Sequence, residues 1–483
     1  MRRLCLLIFV WTLNVKSTFA NCPCCQTKPI QQSCNPFKGY VGPAPPIPLQ
    51  GQIFKPQNKL HSKPFPPFKD GLWISSAPAD VNRESDIWRQ NALQLLWQER
   101  ASTNPTPLIH LTSPGLKNVE FILKDESFSP TSSISYRTAW KLIFWMLLHG
   151  FVERGTHIVD ASFGNTAIAE AYFSNILGIN YTAVVPENLD EGRLLLLSTY
   201  KARILLAKPS ELLLKAEVLA SSRPNMIFIN QYMFAKNTVE MEESYFAPLT
   251  STNIMGELVG QLFVKYKKWI LPDYFVSSAG TGSTILSIGH FVKKYGIPTE
   301  IVLADTEFSS YFDYAVYGKF LNESVESLWV DPGLGGLGFG QFETSRVEET
   351  RHLNPNLVDR ALKLPDLASI AAMHFLRSIN IDAGPATGIS FLAAFSIAAK
   401  EKQRRQSGQS IKIALLITDP GRFYDKTYYN QQWIDNRMGD SGGFKLVQCW
   451  LEVIKRCFQA DCDPLESGPK TCPSPMQELI ENL

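Results

Sequence analysis

Cysteine is absent from most of this sequence. None occurs between Cys34 and Cys449, although the chain has 483 residues and nine cysteines. Without Cys5, which lies in the N-terminal apolar run, eight remain at the two ends: Cys22, Cys24, Cys25, Cys34, Cys449, Cys457, Cys462 and Cys472. An even number confined to the ends predicts disulfides formed in an oxidising compartment, with a pairing that the sequence leaves open. A zinc site at the first cluster is the alternative, but no histidine lies near either cluster, so we expect no metal.

The sequence also lacks an excess of charge and an internal repeat. Lys and Arg total 47 and Asp and Glu total 45, a formal net charge of +2, which indicates no nucleic-acid or acidic-membrane partner. No period typical of solenoids or propellers is present. Apolar residues make up 45% and charged residues 19% of the chain, which is typical of a globular protein with a large core divided in two.

No apolar run is long enough to cross a bilayer. Arg2 and Arg3 precede an apolar run over residues 4–13, and Thr18-Phe19-Ala20 offers small residues for cleavage. This pattern predicts a secretory signal peptide over residues 1–20, and therefore a secreted protein with no membrane segment after cleavage. An uncleaved interfacial anchor is the alternative. N-glycosylation sequons begin at Asn180 and Asn322.

Composition divides the rest of the chain into three parts. Residues 21–84 are a proline-rich extension with cysteines, residues 85–435 carry regular patterns, and residues 436–483 form a cysteine-rich tail. In the body, β-branched runs alternate with amphipathic patterns, which predicts an α/β fold of parallel sheets with right-handed crossovers. Strand candidates begin at residues 121, 157, 181, 203, 226, 274, 300 and 411, and helix candidates cover 166–177, 210–220, 284–295 and 388–400.

Four polar turns follow predicted strands and should converge on one crevice, because ligands of open α/β sheets bind at the carboxyl ends of strands. They are KDESFSPTSSISYR from Lys124, DASFGNTA from Asp160, SSAGTGST from Ser277 and TDPGRFY from Thr418. In the third turn, glycines let backbone amides approach an anion at a helix N-terminus. A plain tight turn is the alternative there, and helix capping is the alternative for the second.

In this order, with NPTPLIHL at 104, INQYMFAKN at 229, GLGGLGF at 333 and GPATGISFLAA at 384, these segments resemble the cysteine synthase and cystathionine β-synthase family. Its members are fold-type II enzymes that depend on pyridoxal phosphate. The resemblance covers about residues 85 to 430. It implies a two-lobed parallel-sheet fold of the tryptophan synthase β-like type, pyridoxal phosphate as the cofactor, and a homodimer.

The resemblance also assigns roles to residues. The phosphate cradle matches Gly280, Thr281, Gly282, Ser283 and Thr284; the ring-hydroxyl contact matches Asn165; the substrate loop and its glutamine match Ser162, Gly164, Thr166 and Gln231. Ser283 stands in place of a glycine of the family pattern and Phe163 in place of a small polar residue, and two other positions break the pattern. The lysine that forms the Schiff base falls at Ser135, whose hydroxyl cannot form an imine. The partner of the pyridine nitrogen falls at Pro420, which has no donor, and the neighbouring Asp419 is the group within reach of the ring.

We therefore expect a secreted, catalytically degenerate family member that keeps a site for an anion or a phosphorylated small molecule. Pyridoxal phosphate would bind without covalent attachment, or not at all. One alternative is an active enzyme that performs β-replacement on serine-type amino acids to make cysteine or cystathionine. Another is a disulfide-stapled extracellular interaction protein.

Overall fold

The computed structural model describes residues 53–54, 83–234, 253–318, 333–338, 353–405, 408–473 and 475. The predicted signal peptide, the cysteines of the N-terminal extension and the sequon at Asn322 lie outside these residues. Asn180, the other sequon residue, is exposed at the start of a strand.

The strands are β1 Ile53–Phe54, β2 Leu108–Thr112, β3 Val119–Asp125, β4 His157–Ala161, β5 Asn180–Pro186, β6 Arg203–Ala207, β7 Met226–Phe228, β8 Tyr274–Ser277, β9 Glu300–Thr306, β10 Arg360–Leu364 and β11 Ile411–Ile417. The helices are α1 Arg83–Ser102, α2 Ser135–Leu148, α3 Asn165–Leu177, α4 Glu191–Thr199, α5 Leu212–Ser221, α6 Ile254–Tyr266, α7 Ser283–Lys294, α8 Tyr311–Tyr317, α9 Asp366–Ser378, α10 Pro385–Arg404, α11 Gln431–Met438, α12 Gly443–Gln459 and α13 Pro464–Thr471.

The larger lobe is built on a seven-stranded sheet in the order β1-β10-β9-β8-β11-β3-β2. Its inner strands are parallel, and β1 and β2 pair antiparallel at the edges. The sequence of β11, IKIALLI, is buried at every position except Lys412. Such a continuous apolar run is typical of a central parallel strand that helices cover on both faces.

The smaller lobe is a four-stranded parallel sheet in the order β6-β5-β4-β7, inserted in the chain between β3 and β8. Helices α2 and α3 contribute the core on one face, and α5 contributes the core on the other. Crossover helices follow β4, β5 and β6 in this lobe and β8, β9 and β10 in the large lobe, so the loops that form the site lie at the carboxyl ends of both sheets.

Alternation along the large sheet separates its two cores. Phe121 and Leu123 face α9 and α10, whereas Ile122 between them faces α6 and α7. The predicted α/β fold with parallel sheets and two lobes is confirmed, and all eight predicted strands are present. The sequence analysis missed β1, β2 and β10. Strand β1 has two residues, too few for a pattern, and half-buried or charged residues interrupt the apolar runs of β2 and β10.

The C-terminal tail folds onto the large lobe through α12, whose apolar side packs in the same core as α9. Disulfides join Cys449 to Cys472 and Cys457 to Cys462, which resolves the pairing of the C-terminal cysteines. In the described part of the chain, no helix carries a stretch long and apolar enough to cross a membrane.

Candidate functional site

A cleft of about 160 Å³ lies between the two lobes. Residues that follow β3, β4, β7, β8 and β11 line it, so it occupies the carboxyl ends of parallel strands from both sheets. All four predicted turns reach this cleft. Of the residues predicted for the site, Ser135, Ser162, Gly164, Asn165, Thr166, Gln231, Gly280, Thr281, Gly282 and Thr284 line it; Ser283 and Pro420 do not.

One end of the cleft is made of backbone at the start of α7. A Cβ atom on Gly280 would lie 2.4 Å from the carbonyl oxygen of Gly336, so only glycine fits there. Gly282 has a φ of +81° and precedes α7. The first amides of a helix have no intrahelical acceptor, and they point out of its N-terminus together with the positive end of the dipole. We call this turn, Gly280–Thr284, the phosphate end.

Hydroxyl groups surround that turn. Thr281 and Thr284 line the cleft, and the Thr281 hydroxyl accepts from the Ser283 amide at 3.4 Å. The Ser283 hydroxyl instead lies 3.2 Å from the Thr138 hydroxyl, which places it beside α2.

The loop of residues 162–166 comes from the small lobe. The Ser162 hydroxyl accepts from the amides of Gly164 and Ala167, at 3.1 Å each, and so fixes the start of α3. Gly164 has a φ of +127°, a conformation that glycine adopts readily. Gln231 braces this loop from behind, because its Nε2 donates to Ala161 O at 2.8 Å.

At the other end of the cleft, the ring end, a carboxylate connects the lobes. Asp419 follows β11 and is 2% exposed. Its Oδ2 accepts from Asn165 Nδ2 at 2.7 Å and from the Tyr424 hydroxyl, and its Oδ1 accepts from the Thr418 hydroxyl at 3.0 Å. Burial raises the pKa of Asp419, while the bonds from Tyr424 and Asn165 oppose that rise. Pro420 is buried next to it, outside the lining.

Ser135 is the first residue of α2 and is half-buried at this end. Its hydroxyl lies 3.3 Å from that of Thr166. Among the lining residues that the structure describes, the one cation is Arg193 and none is a lysine. The Arg193 guanidinium donates to Phe163 O at 3.3 Å and lies 5.1 Å from the centre of the Tyr424 ring.

The lysines nearest to Ser135 in sequence point elsewhere. Lys124 is fully buried, and its Nζ donates to Glu257 at 2.7 Å and to Gln261 at 2.9 Å. Burial lowers the pKa of Lys124, although Glu257 opposes this effect. Lys141 Nζ donates to the Ser287 hydroxyl at 3.1 Å, on α7 beyond the phosphate end.

Lys124 belongs to a buried ion cluster, which we define as Arg100, Lys124, Glu126, Arg137 and Glu257. Burial alone would raise the pKa of Glu257, but Arg137 and Lys124 hold it at about 2. The cluster fixes the first turn of α2 against α6, since Arg137 lies on α2 and Glu257 on α6. The cluster therefore fixes the position of Ser135, although none of its members lines the cleft.

A second buried group lies behind the small-lobe loop. Asp160 Oδ1 and Glu170 Oε1 are both buried and have no donor among the described residues. The two carboxyls are within hydrogen-bonding reach of each other, which requires that one of them keep its proton. Burial raises the pKa of Asp160 to about 7 and also raises that of Glu170. Gln231 Nε2 donates to Asp160 Oδ2 at 3.1 Å, which links this acid pair to the cleft.

Pyridoxal phosphate fits this cleft at one end only. The glycines and hydroxyls of the phosphate end suit its phosphate group. At the ring end, the Asn165 amide donates to Asp419 rather than facing a free space, and the residue matched to the nitrogen partner, Pro420, lies outside the lining. The described residues therefore match a phosphate group and do not match the pyridine ring.

The sequence analysis gave no role to several polar residues of the cleft. Arg193 and Thr138 line it and lie outside the quoted motifs, and Tyr424 ends TDPGRFY but was assigned no contact. Arg193 lies in the first turn of α4, and its backbone amide donates to the side chain of the N-cap residue Asp190 at 2.9 Å. That local pattern predicts a helix start and says nothing about the cleft.

The chain is similar to known proteins along most of its length. A family model described as "pyridoxal-phosphate dependent enzyme" matches residues 100–419. A putative pyridoxal-phosphate dependent protein of Caenorhabditis elegans is 34% identical over 391 residues, which covers 80% of this chain and 89% of the relative. The L-cysteine desulfhydrase of Mycobacterium tuberculosis is 27% identical over 369 residues, 75% of this chain and 94% of that protein.

Solved structures share the fold. A hydrogen sulfide-producing enzyme from Fusobacterium nucleatum matches with a TM-score of 0.53 at 20% identity, over 69% of this chain and 98% of its own. The match extends over most of the two-lobed body and supports the architecture alone.

Proposed function

This chain belongs to the family of pyridoxal-phosphate-dependent enzymes, in the fold-type II group with cysteine synthase and cystathionine β-synthase, and we propose that it has lost the family's chemistry and binds a small phosphorylated molecule. The binding site is the cleft between the lobes. The ligand is held without a covalent bond.

The observation that carries this proposal is the side chain of Ser135. The family resemblance places the cofactor-binding lysine there, and the structure has a hydroxyl at the start of α2, facing Thr166. A hydroxyl does not condense with an aldehyde to an imine, and it is a far weaker base than an amine. Both the covalent attachment and the family's proton-transfer group are therefore missing from this position.

The surroundings of two other lysines support the same proposal. Lys124 is held by Glu257 and Gln261, and Lys141 by Ser287. Moving Lys124 toward the cleft would leave a buried carboxylate with one fewer cation, which is costly. Neither lysine is positioned to replace the missing amine.

The phosphate end supports the binding half of the proposal. Its contacts come from backbone amides, a helix dipole and two threonine hydroxyls, and none of these depends on the lost lysine. When bound in such enzymes, pyridoxal phosphate supplies an electron sink for chemistry at an amino acid. This chain keeps the anion site without an amine at Ser135 to direct that chemistry.

The second candidate is an active enzyme, and the likeness to an L-cysteine desulfhydrase favours it. In this case a lysine other than Lys124 and Lys141 would attach the cofactor, and the protein would perform β-replacement or a related reaction on a serine- or cysteine-type amino acid. The experiment described next distinguishes the two candidate functions.

The full chain is incubated with pyridoxal phosphate, treated with borohydride, digested and examined by mass spectrometry, with and without excess inorganic phosphate. On the wild type we expect no lysine adduct whose formation excess phosphate suppresses. Ser135→Lys should gain an adduct at residue 135 that phosphate suppresses, and Ser198→Lys, on an exposed face of α4, should not. A phosphate-sensitive adduct on any lysine of the wild type would contradict the proposal and favour the active enzyme.

We also propose that the protein is secreted. The signal-like N-terminus and the even number of terminal cysteines support this localisation, and two of the disulfides form in the tail. Expression in cultured animal cells should release a chain that begins at Asn21, and retention inside the cell with an intact Met1 would contradict the proposal. A partner recovered only with the tail present would favour an extracellular interaction role.

A further inference from the structure

We propose that Asp419 and Asn165 form a clasp that occupies the ring end of the cleft, so that the site accepts inorganic phosphate and small phosphate monoesters and discriminates against a pyridine ring. This inference rests on the proposed function and specifies its ligand class. The clasp consists of Asp419 and Tyr424 from the large lobe and Asn165 from the small lobe.

The Asp419 carboxylate is engaged by the protein itself. It accepts hydrogen bonds from Asn165, Tyr424 and Thr418, and these leave little acceptor capacity for a ligand. Gly384 makes room for it, since a Cβ there would lie 2.2 Å from Asp419 Oδ1. The carboxylate is thus seated in a fitted position, with its backbone carbonyl also accepting from the Gly384 amide at 3.1 Å.

The Asn165 amide is committed by the same contact. Its Nδ2 donates across the lobes to Asp419, which leaves Oδ1 as a buried acceptor with no donor among the described residues. This bond fixes the orientation of the amide and ties its nitrogen to Asp419. To turn the whole amide toward a ring, a ligand would have to break a hydrogen bond to a charged group, which is among the stronger kinds.

One cation lies beside the clasp, Arg193, which also forms an ion pair with Asp190. The Arg193 guanidinium lies 5.1 Å from the Tyr424 ring centre and 5.7 Å from that of Phe423, near enough to Asp419 for their charges to attract. Arg193 already supplies a positive charge to Asp419, so a cationic ring would add little favourable charge interaction there. The Asp419 carboxylate thus has three hydrogen-bond donors and a nearby cation from the protein itself.

The size of the cleft agrees with a small ligand. Its volume of about 160 Å³ is close to that of an engineered protein cavity, about 150 Å³, that takes one benzene ring. A phosphate with a short alkyl group has room in such a space with the clasp closed.

Calorimetry on the full chain, at constant ionic strength, tests the inference with three probes: inorganic phosphate, ethyl phosphate and pyridoxine 5′-phosphate, whose alcohol cannot react with lysines. On the wild type we expect the first two to bind more tightly than the third. Asp419→Ala should raise the affinity for pyridoxine phosphate at least about tenfold and leave that for inorganic phosphate within about twofold.

Two further variants secure the result. Asp419→Ser keeps a hydroxyl toward Tyr424 and should show the same gain if the alanine variant does not fold. Asp425→Ala, on an exposed carboxylate of the same turn, is the matched control and should change neither affinity. Tight binding of pyridoxine phosphate to the wild type, unchanged in both Asp419 variants, would overturn this inference and leave the proposed function standing. Absence of binding by all three probes would overturn both.

Discussion

The two ends of the cleft are made of different material. At the phosphate end the contacts come from backbone amides that Gly280 and Gly282 place at the start of α7. At the ring end they come from side chains, notably Ser135, Asn165 and Asp419. A side-chain contact disappears with one substitution that leaves the fold intact, whereas a backbone contact persists as long as the turn can form. If the chemistry is lost as we propose, this difference is the reason we expect the anion site to persist.

The largest expected effect on stability comes from the buried ion cluster, which holds the start of α2 at the ring end. Glu257→Gln removes the carboxylate that contacts Arg100, Lys124 and Arg137 in the buried ion cluster. Uncompensated buried cations are costly, so we expect the free energy of unfolding to fall by about 3–5 kcal/mol. Urea denaturation measures this loss.

Glu452→Gln is the control, because that carboxylate is 71% exposed and pairs with Lys455 on the surface of α12. Its effect should stay within about 0.5 kcal/mol. Equal effects of the two substitutions would show that the cluster does not hold the start of α2.

The second expected effect is a pH dependence of stability, which arises from Asp160 behind the small-lobe loop. Burial raises the pKa of Asp160 to about 7 from an ordinary value of 3.8, so the folded state keeps this proton to a higher pH than the unfolded state does. The stability linked to this proton is full below pH 3.8 and is lost as the pH rises through about 7. Asp160→Asn, which has no proton to lose, should make this fall between pH 4 and pH 8 smaller, and the part that remains reports Glu170, whose pKa burial also raises.

Urea denaturation at a series of pH values provides the measurement. Asp440→Asn, on an exposed residue of the tail, should leave the pH profile unchanged. An unaltered profile in Asp160→Asn would mean that the acid pair carries no shared proton in the folded state.

The sequence could predict the backbone end more fully than the side-chain end, and the reason is distance along the chain. SSAGTGST holds strand end, glycines and helix start in one short stretch, so its local pattern predicts the turn. The bond from Asn165 to Asp419 joins residues 254 apart, and only the fold brings them together. Likewise, the apolar run of β11 predicts a strand, but RALKL of β10 becomes one through its pairing with β9.

The smallest of the expected effects tests whether the phosphate end is truly backbone-built. In Gly280→Ala, the new Cβ would lie 2.4 Å from Gly336 O, so the turn must shift. Its amides then no longer point at the anion. We expect the affinity for inorganic phosphate to fall about tenfold, equivalent to about 1.4 kcal/mol. Gly439→Ala is the matched control, since nothing lies within 4 Å of its added Cβ. If calorimetry gives both variants the affinity of the wild type, the anion does not depend on this turn, and the contrast between the two ends fails at its stronger side.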